Sequence, residues 1–259
     1  MIDLKFNILS AAFLCLLTVS AEASTHLTDS TKRVKNIVYV EVNHHNPLNA
    51  GGYVYADTGK PFFDIAIIFA ANINYSQAKQ KTALYCNLNV RQVLHNRDIH
   101  IKPLQDKGIK VLLSILGNHS GAGFTNFQSR EAAKQFAQQV ADTVRNNNLD
   151  GVDFDEEYVE YKPEWPQNSQ SLLWLISELR QLLPGKVISM YDMDIKPEMK
   201  ANANDKLSSY IDYAWQPYYG KFNPPVYPGL GNDKIAPGAI DVTQSKIDMP
   251  YMEQAKRRG

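Results

Sequence analysis

The chain has 259 residues, of which 44% are hydrophobic and 21% charged, the balance of a folded globular protein rather than a disordered one. Lys plus Arg (27) equals Asp plus Glu (27), so no global positive field exists to hold nucleic acid or an anionic membrane. Two cysteines exclude a disulfide scaffold and a multi-cysteine zinc cluster.

In chain order, the first feature is Lys5 ahead of an apolar run over residues 6–19, with Ala21, Glu22 and Ala23 behind it. A basic lead, an apolar stretch shorter than the ~20 residues of a membrane span, and small residues at cleavage positions predict a signal peptide over residues 1–23. The protein is then exported, to the periplasm or the medium. Cys15 leaves with the signal, and Leu14 before it is too large for lipoprotein-type cleavage. Cys86 therefore has no intramolecular disulfide partner. Residues 24–35 form a polar leader. Residues 36–259 read as one domain, because no repeat, low-complexity tract or linker divides them.

Within that domain, apolar runs alternate with helical patterns. Strands are predicted at residues 36–43, 63–71, 110–116, 150–157, 187–193 and 211–219, with a weaker one at 235–242. Near-continuous β-branched runs such as residues 63–71 suit strands covered on both faces of a parallel sheet. Between them, Ser129 can cap a helix whose apolar stripe is Ala133, Phe136, Ala137, Val140 and Val144. A second stripe runs through Leu172, Leu175, Ile176, Leu179 and Leu182, and Pro184 with Gly185 ends it. Strand–helix alternation over one domain predicts a parallel α/β fold.

Residues 149–158 carry the chemistry. Side chains two apart on a strand share a face, so Asp153, Asp155 and Glu157 project together while Val152 and Phe154 face the other way. Stacked carboxylates repel, and desolvation raises the energy of ionising all three, so at least one proton is retained near neutral pH. That suits a general acid, with Glu157 at the carboxyl end of its strand, where α/β sites sit. A solvated acidic turn and a site for a hard cation are the alternatives.

The pattern Asp150-Gly-x-Asp153-x-Asp155-x-Glu157 resembles the signature of glycoside hydrolase family 18. Residues 111–124, 149–161 and 212–220 are similar to the bacterial endo-β-N-acetylglucosaminidases of the Endo H type. The resemblance implies a (β/α)8 TIM-type barrel, cleavage of the chitobiose core of N-linked glycans, and no cofactor. It also implies substrate-assisted retention, in which the 2-acetamido oxygen of the sugar attacks its own anomeric carbon. By the match, Glu157 protonates the leaving oxygen, Asp155 orients the acetamido group, Asp153 holds Asp155 and shares its proton, and Tyr218 bonds the acetamido oxygen. Gln216, Tyr191 and Asn118 are expected at the sugar.

Trp165 stands between sugar contact and loop packing. Trp174 and Trp215 read as structural, Trp215 because its parity opposes that of Gln216 and Tyr218. His44, His45 and His119 lack metal-ligand spacing and read as loop or sugar-contact residues. The expected partners are N-glycans of glycoproteins or N-acetylglucosamine oligomers, with neither nucleic acid nor, after signal removal, a membrane. A chitin-oligomer hydrolase and a non-catalytic glycan-binding barrel are the competing readings. Only seven strands are counted before a helical stretch over residues 247–258, so the barrel is expected to lack its last strand and helix, leaving two open edges.

Overall fold

The computed structural model describes residues 35–193 and 195–240. The expected signal segment, nearly all of the leader and the expected terminal helix lie outside the described residues. Seven strands run parallel in one sheet, in chain order: β1 (Ile37–Glu41), β2 (Ile65–Ser76), β4 (Lys110–Leu116), β5 (Gly151–Asp155), β6 (Val187–Tyr191), β7 (Tyr213–Trp215) and β8 (Ile235–Ala236). An eighth strand, β3 (Lys81–Tyr85), pairs antiparallel with the far half of β2. Among the described residues no strand joins the outer edges of β1 and β8, which matches the count of seven.

Parity along each strand sorts side chains to two sides. Val38, Val40, Ala66, Ile68, Val111, Leu113, Val152, Phe154, Ile188, Met190 and Ala214 point outward into one large core. That core is closed by α4 (Arg130–Asn146) and α5 (Ser171–Leu182), whose expected apolar stripes are the buried faces. Ser129 caps α4 as expected, accepting a hydrogen bond from the Ala132 N–H at 3.2 Å. The alternate positions, Ile37, Ile65, Ile67, Leu112, Val187, Tyr213 and Trp215, form a smaller cluster on the inner side. Tyr39 on β1 and Trp215 on β7 both reach Asp153 on β5, so the sheet is rolled into an open barrel.

The amino-terminal rim repeats one device. Asp64, Asp150 and Asp212 each stand one residue before a strand, and each accepts an N–H at the start of the neighbouring earlier strand, from the residue just ahead of β1 or from the second residue of β4 or β6. The donors are Asn36 to Asp64 Oδ2 (2.9 Å), Val111 to Asp150 Oδ2 (2.8 Å) and Ile188 to Asp212 Oδ2 (2.9 Å). Gln105 Nε2 also donates to Asp150, and the Arg180 guanidinium pairs with Asp212 at 2.6 Å. The first aspartate of the acidic motif therefore pins strand starts. Gly151, next to it, lies so close to β6 that a Cβ would sit 2.1 Å from the Val187 carbonyl oxygen.

Two sequence expectations need correction, and one further element has no counterpart among them. Strand β5 stops at Asp155, β7 spans three residues and β8 two, because the chain leaves the ladder once side chains must turn toward the barrel mouth. The β2–β3 hairpin carries no local turn signal, since its connection lacks Gly or Pro and Gln80 takes the left-handed conformation instead (φ 48°). Trp215 faces the barrel interior, and the supposed alternation with Gln216 fails because β7 ends between them.

Phe154 is wholly buried, with its ring edge-on to Phe124 at 4.9 Å between centroids. Phe154→Ala should remove about 3–5 kcal/mol of stability, read as a lower urea midpoint at constant slope.

Candidate active site

Asp153 occupies the middle of the barrel and is fully buried. Its carboxylate accepts four hydrogen bonds, two on each oxygen, and each donor comes from a different strand. Tyr39 (2.9 Å) and Ser114 (3.0 Å) bond Oδ2, while Ser189 (2.6 Å) and Trp215 Nε1 (3.0 Å) bond Oδ1. Burial pushes the Asp153 carboxyl above its usual range, and these four bonds pull the other way by favouring the ion. With both oxygens filled, Asp153 has no lone pairs suitably placed for a cation. No group of three or more His, Cys, Asp or Glu among the described residues is arranged to hold a metal ion.

Asp155 lies one pleat higher, only 1% exposed, and pairs in register with Leu116 and Tyr191. Burial raises its pKa to about 9, and the charges of Asp153, Glu157 and Glu156 add to that; the Glu157 backbone N–H opposes it. The direction is the one that stacked, desolvated carboxylates require. Its Oδ1 is a buried acceptor without a partner among the described residues. Gln216 presents the complementary case: the side chain is 2% exposed, its Nε2 has no partner among the described residues, and its Oε1 accepts from the Tyr218 N–H at 3.4 Å.

Glu157 sits past the end of β5 and is half-buried. Its carbonyl accepts the Gly117 N–H at 2.9 Å, the first of three bonds that continue beyond the sheet. His119 N–H to Tyr158 O (2.7 Å) and Gly121 N–H to Val159 O (3.0 Å) follow. Gly117 is required here, since a Cβ would meet the Glu157 carbonyl oxygen at 2.3 Å. The exposed Tyr158 hydroxyl is hydrogen-bonded to the Glu157 carboxylate, whose charge raises the phenol pKa.

Of the other expected residues, Tyr191 is near the carboxylates. Its hydroxyl donates to the Pro217 carbonyl at 2.8 Å, and burial, Tyr219 and the charges of Asp155, Glu157 and Asp153 all raise its pKa. Tyr218 is partly exposed, with the Lys221 ammonium 5.3 Å above its ring. Asn118 donates to Asn74 Oδ1 (3.1 Å) on the hairpin strand β2, and Trp165 packs on Tyr75 of the same strand at 4.2 Å between centroids. Both therefore belong to the mouth, at the hairpin. His119 Nδ1 lies 2.6 Å from Glu160 Oε1, both exposed. Tyr39, Ser114, Ser189 and Trp215 are site-building residues that sequence reasoning missed. Tyr39, Ser114 and Ser189 do share the inward parity of their strands with Ile37, Leu112 and Val187, which is the signal that could have found them.

An open parallel barrel that buries two carboxylates on one strand, with a third acid just past its end, is the frame of a glycoside hydrolase. The sequence profile of glycosyl hydrolases family 18 matches residues 35–229. An endo-β-N-acetylglucosaminidase of Flavobacterium sp. (strain SK1022) is 47% identical over 219 residues, covering 84% of this chain and 69% of the relative. Endo-β-N-acetylglucosaminidase F1 of Elizabethkingia meningoseptica is 37% identical over 235 residues, covering 88% and 69%. The crystal structure of Bacteroides thetaiotamicron EndoBT-3987 with a Man5GlcNAc product superposes with a TM-score of 0.69 at 30% identity, covering 78% of this chain and 48% of that one. The chain thus spans about half the length of that solved relative. It belongs to glycosyl hydrolases family 18.

Asp155 binds more protons folded than unfolded, so its ionisation subtracts stability as pH rises from about 4 toward its raised value. Asp155→Asn removes that titration. The variant should be more stable than the wild type at neutral pH by on the order of 2–4 kcal/mol, with the gap closing as pH falls toward 4. Urea unfolding across this range checks both the sign and the trend.

Proposed function

We propose that the protein is an exported endo-β-N-acetylglucosaminidase that cuts between the two N-acetylglucosamines of the N-glycan core by substrate-assisted retention. The observation that carries this is the unpartnered, buried Oδ1 of Asp155 two residues before Glu157. An acceptor held in that place suits the N–H of a 2-acetamido group, a feature that glucose or mannose units lack. The activities and the product of the three relatives support the same substrate class.

In this reading Glu157 donates a proton to the glycosidic oxygen as the bond breaks. The acetamido oxygen closes on the anomeric carbon to give an oxazolinium, so the enzyme supplies no nucleophile, unlike the two-carboxylate scheme. Holding the acetamido in place turns the attack into an intramolecular step of high effective molarity. Asp155 accepts the acetamido N–H. As positive charge grows on that nitrogen, the Asp155 proton passes to Asp153, where one of the four donated hydrogen bonds gives way to it, leaving the Asp155 carboxylate negative opposite the cation. Glu157 then takes a proton from the water that opens the ring. Tyr218 is assigned to the acetamido oxygen, with Gln216 and Tyr191 lining the sugar and Asn118 and Trp165 at the mouth. The Lys5-led apolar run and the Ala21, Glu22, Ala23 triplet support secretion or a periplasmic location.

Mass spectrometry of a high-mannose glycoprotein incubated with the full chain tests the assignment. The expected product keeps a single N-acetylglucosamine at each site, while intact glycans with a demonstrably folded protein would overturn it. Glu157→Gln should lower turnover by about 10²–10⁴-fold while glycan binding persists, and unchanged turnover would remove Glu157 from its role.

A further inference from the structure

Glu156 is the member of the acidic run that the reaction above leaves without a task. Its half-buried carboxylate accepts the Phe124 N–H on Oε2 (2.7 Å) and the Thr125 N–H on Oε1 (2.9 Å). The Thr125 hydroxyl (2.7 Å) and the Tyr161 hydroxyl also bond Oε1. Gln167 Nε2 reaches Thr125 Oγ1 at 3.0 Å, which closes the cluster. Burial raises the Glu156 pKa, and the bonds from Tyr161, Phe124 and Thr125 oppose that rise. Room for the carboxylate exists only because residue 123 is glycine, where a Cβ would lie 2.9 Å from both Glu156 Oε1 and the Tyr161 hydroxyl. Four donors converging on a half-buried acid, in a space kept open for it, make an arrangement that a neutral residue could not reproduce.

The cluster fastens the segment after β4 to the segment after β5. These are the two segments already joined by the backbone bonds from Gly117, His119 and Gly121 to the carbonyls of residues 157–159. Glu157 thus stands on a stretch held from both sides, by its own carbonyl and by the side chain of the residue before it. The same carboxylate acts on Asp155 through space. Asp155 is faced by Asp153 on its own strand, by Glu156 and Glu157 beyond it, by Tyr39 from β1, by Tyr191 from β6 and by Tyr158.

We propose that Glu156 is a positioning residue of this active site, clamping the 121–128 segment to the stretch that carries Glu157 and adding one more carboxylate to those that face Asp155. The inference rests on Glu157 being the general acid, and its test is built to separate the two. Glu156→Gln and Tyr161→Phe are compared with the wild type in the full chain, by kinetics on a high-mannose glycoprotein across pH and by ¹³C-carboxyl NMR titration of Asp155. For Glu156→Gln, kcat should fall about 10- to 100-fold with KM within about two-fold, because a misplacement of about 1 Å is that severe. The alkaline limb of activity and the Asp155 titration should both move to lower pH, since a negative neighbour is gone. Tyr161→Phe keeps the charge, so kcat should fall by less and the Asp155 titration should stay in place.

Wild-type kcat with an unmoved Asp155 titration in Glu156→Gln would overturn the proposal, as would equal losses in both variants with no change in pH dependence. Should the wild type not cleave, the reaction assigned to Glu157 is wrong, and the NMR titration still decides whether Glu156 acts on Asp155. Should Glu156→Gln not fold, amide exchange in Tyr161→Phe decides. Faster exchange at Phe124 and Thr125 supports the clamp, and unchanged exchange refutes it.

Discussion

The structure depends on placing an ionisable carboxyl at the centre of a barrel without wrecking the barrel. A lone carboxylate in such a place would be untenable, because the desolvation penalty is several kcal/mol even after relaxation. Asp153 meets the constraint with one donor from each of β1, β4, β6 and β7. Those bonds are also the ties that run across the barrel rather than between neighbouring strands. The same group therefore sets the chemistry of Asp155 above it and helps hold the open sheet in its curve. Tyr39 shows the reciprocity: burial and the charge of Asp153 push its phenol pKa well above normal, so it remains a donor at any pH the protein meets.

The floor below and the walls outside compensate. Beneath Asp153 the interior is apolar, with Ile65, Ile67, Leu112 and Val187, and outside the strands the large core packs against α4 and α5. The aspartates at the amino-terminal rim are electrostatically the reverse of Asp153 and Asp155. They are partly solvated and accept strand N–H groups, and Asp212 also pairs with the Arg180 cation. One residue type therefore does opposite work at the two ends of the barrel. At the bottom it accepts backbone N–H groups and stabilises strand starts. In the middle it accepts four hydrogen bonds in full burial, and one pleat higher burial and neighbouring charge raise its pKa at the expense of stability, the usual relation between an active site and its scaffold.

How much of this was legible follows from where each signal lies. The parallel sheet showed in its β-branched runs, and α4 and α5 in their stripes, because both periodicities are local. The inward parity of Asp153 and Asp155 was also local. What held them was not: Tyr39, Ser114, Ser189 and Trp215 come from four separate stretches of sequence, brought together only by sheet register. Strand parity does not carry through Gln216, because β7 ends at Trp215, which is why the inward position of Trp215 is not legible from Gln216 and Tyr218. The β2–β3 hairpin was hidden by a turn built on Gln80 rather than on glycine or asparagine. Nothing in sequence places Phe124, Thr125 and Tyr161 around Glu156, because those contacts are made only by the fold.

The division of labour inside the site follows from the same distinction between ladder and loop. Asp153 and Asp155 lie on β5 in register with both neighbouring strands, so their positions are fixed by backbone bonds that side-chain changes hardly move. Glu157 lies off the ladder, where a strand would have pointed it back into a packed interior, and its orientation has to come from elsewhere. The three backbone bonds from residues 117–121 extend the β4–β5 pairing just far enough to carry it, and the left-handed conformations of His119, Tyr158 and Glu160 mark where that extension ceases to be a sheet. Beyond it, the contacts of Asn118 with Asn74 and of Trp165 with Tyr75 belong to a hairpin that is tied to α4 through Gln139. Changes in that hairpin can reshape the mouth without disturbing the buried pair. The reacting groups are thus held with a rigidity that decreases outward, from a fully bonded Asp153 to the side chains at the mouth, which is the order in which precision is needed for the reaction and adaptability for the glycan.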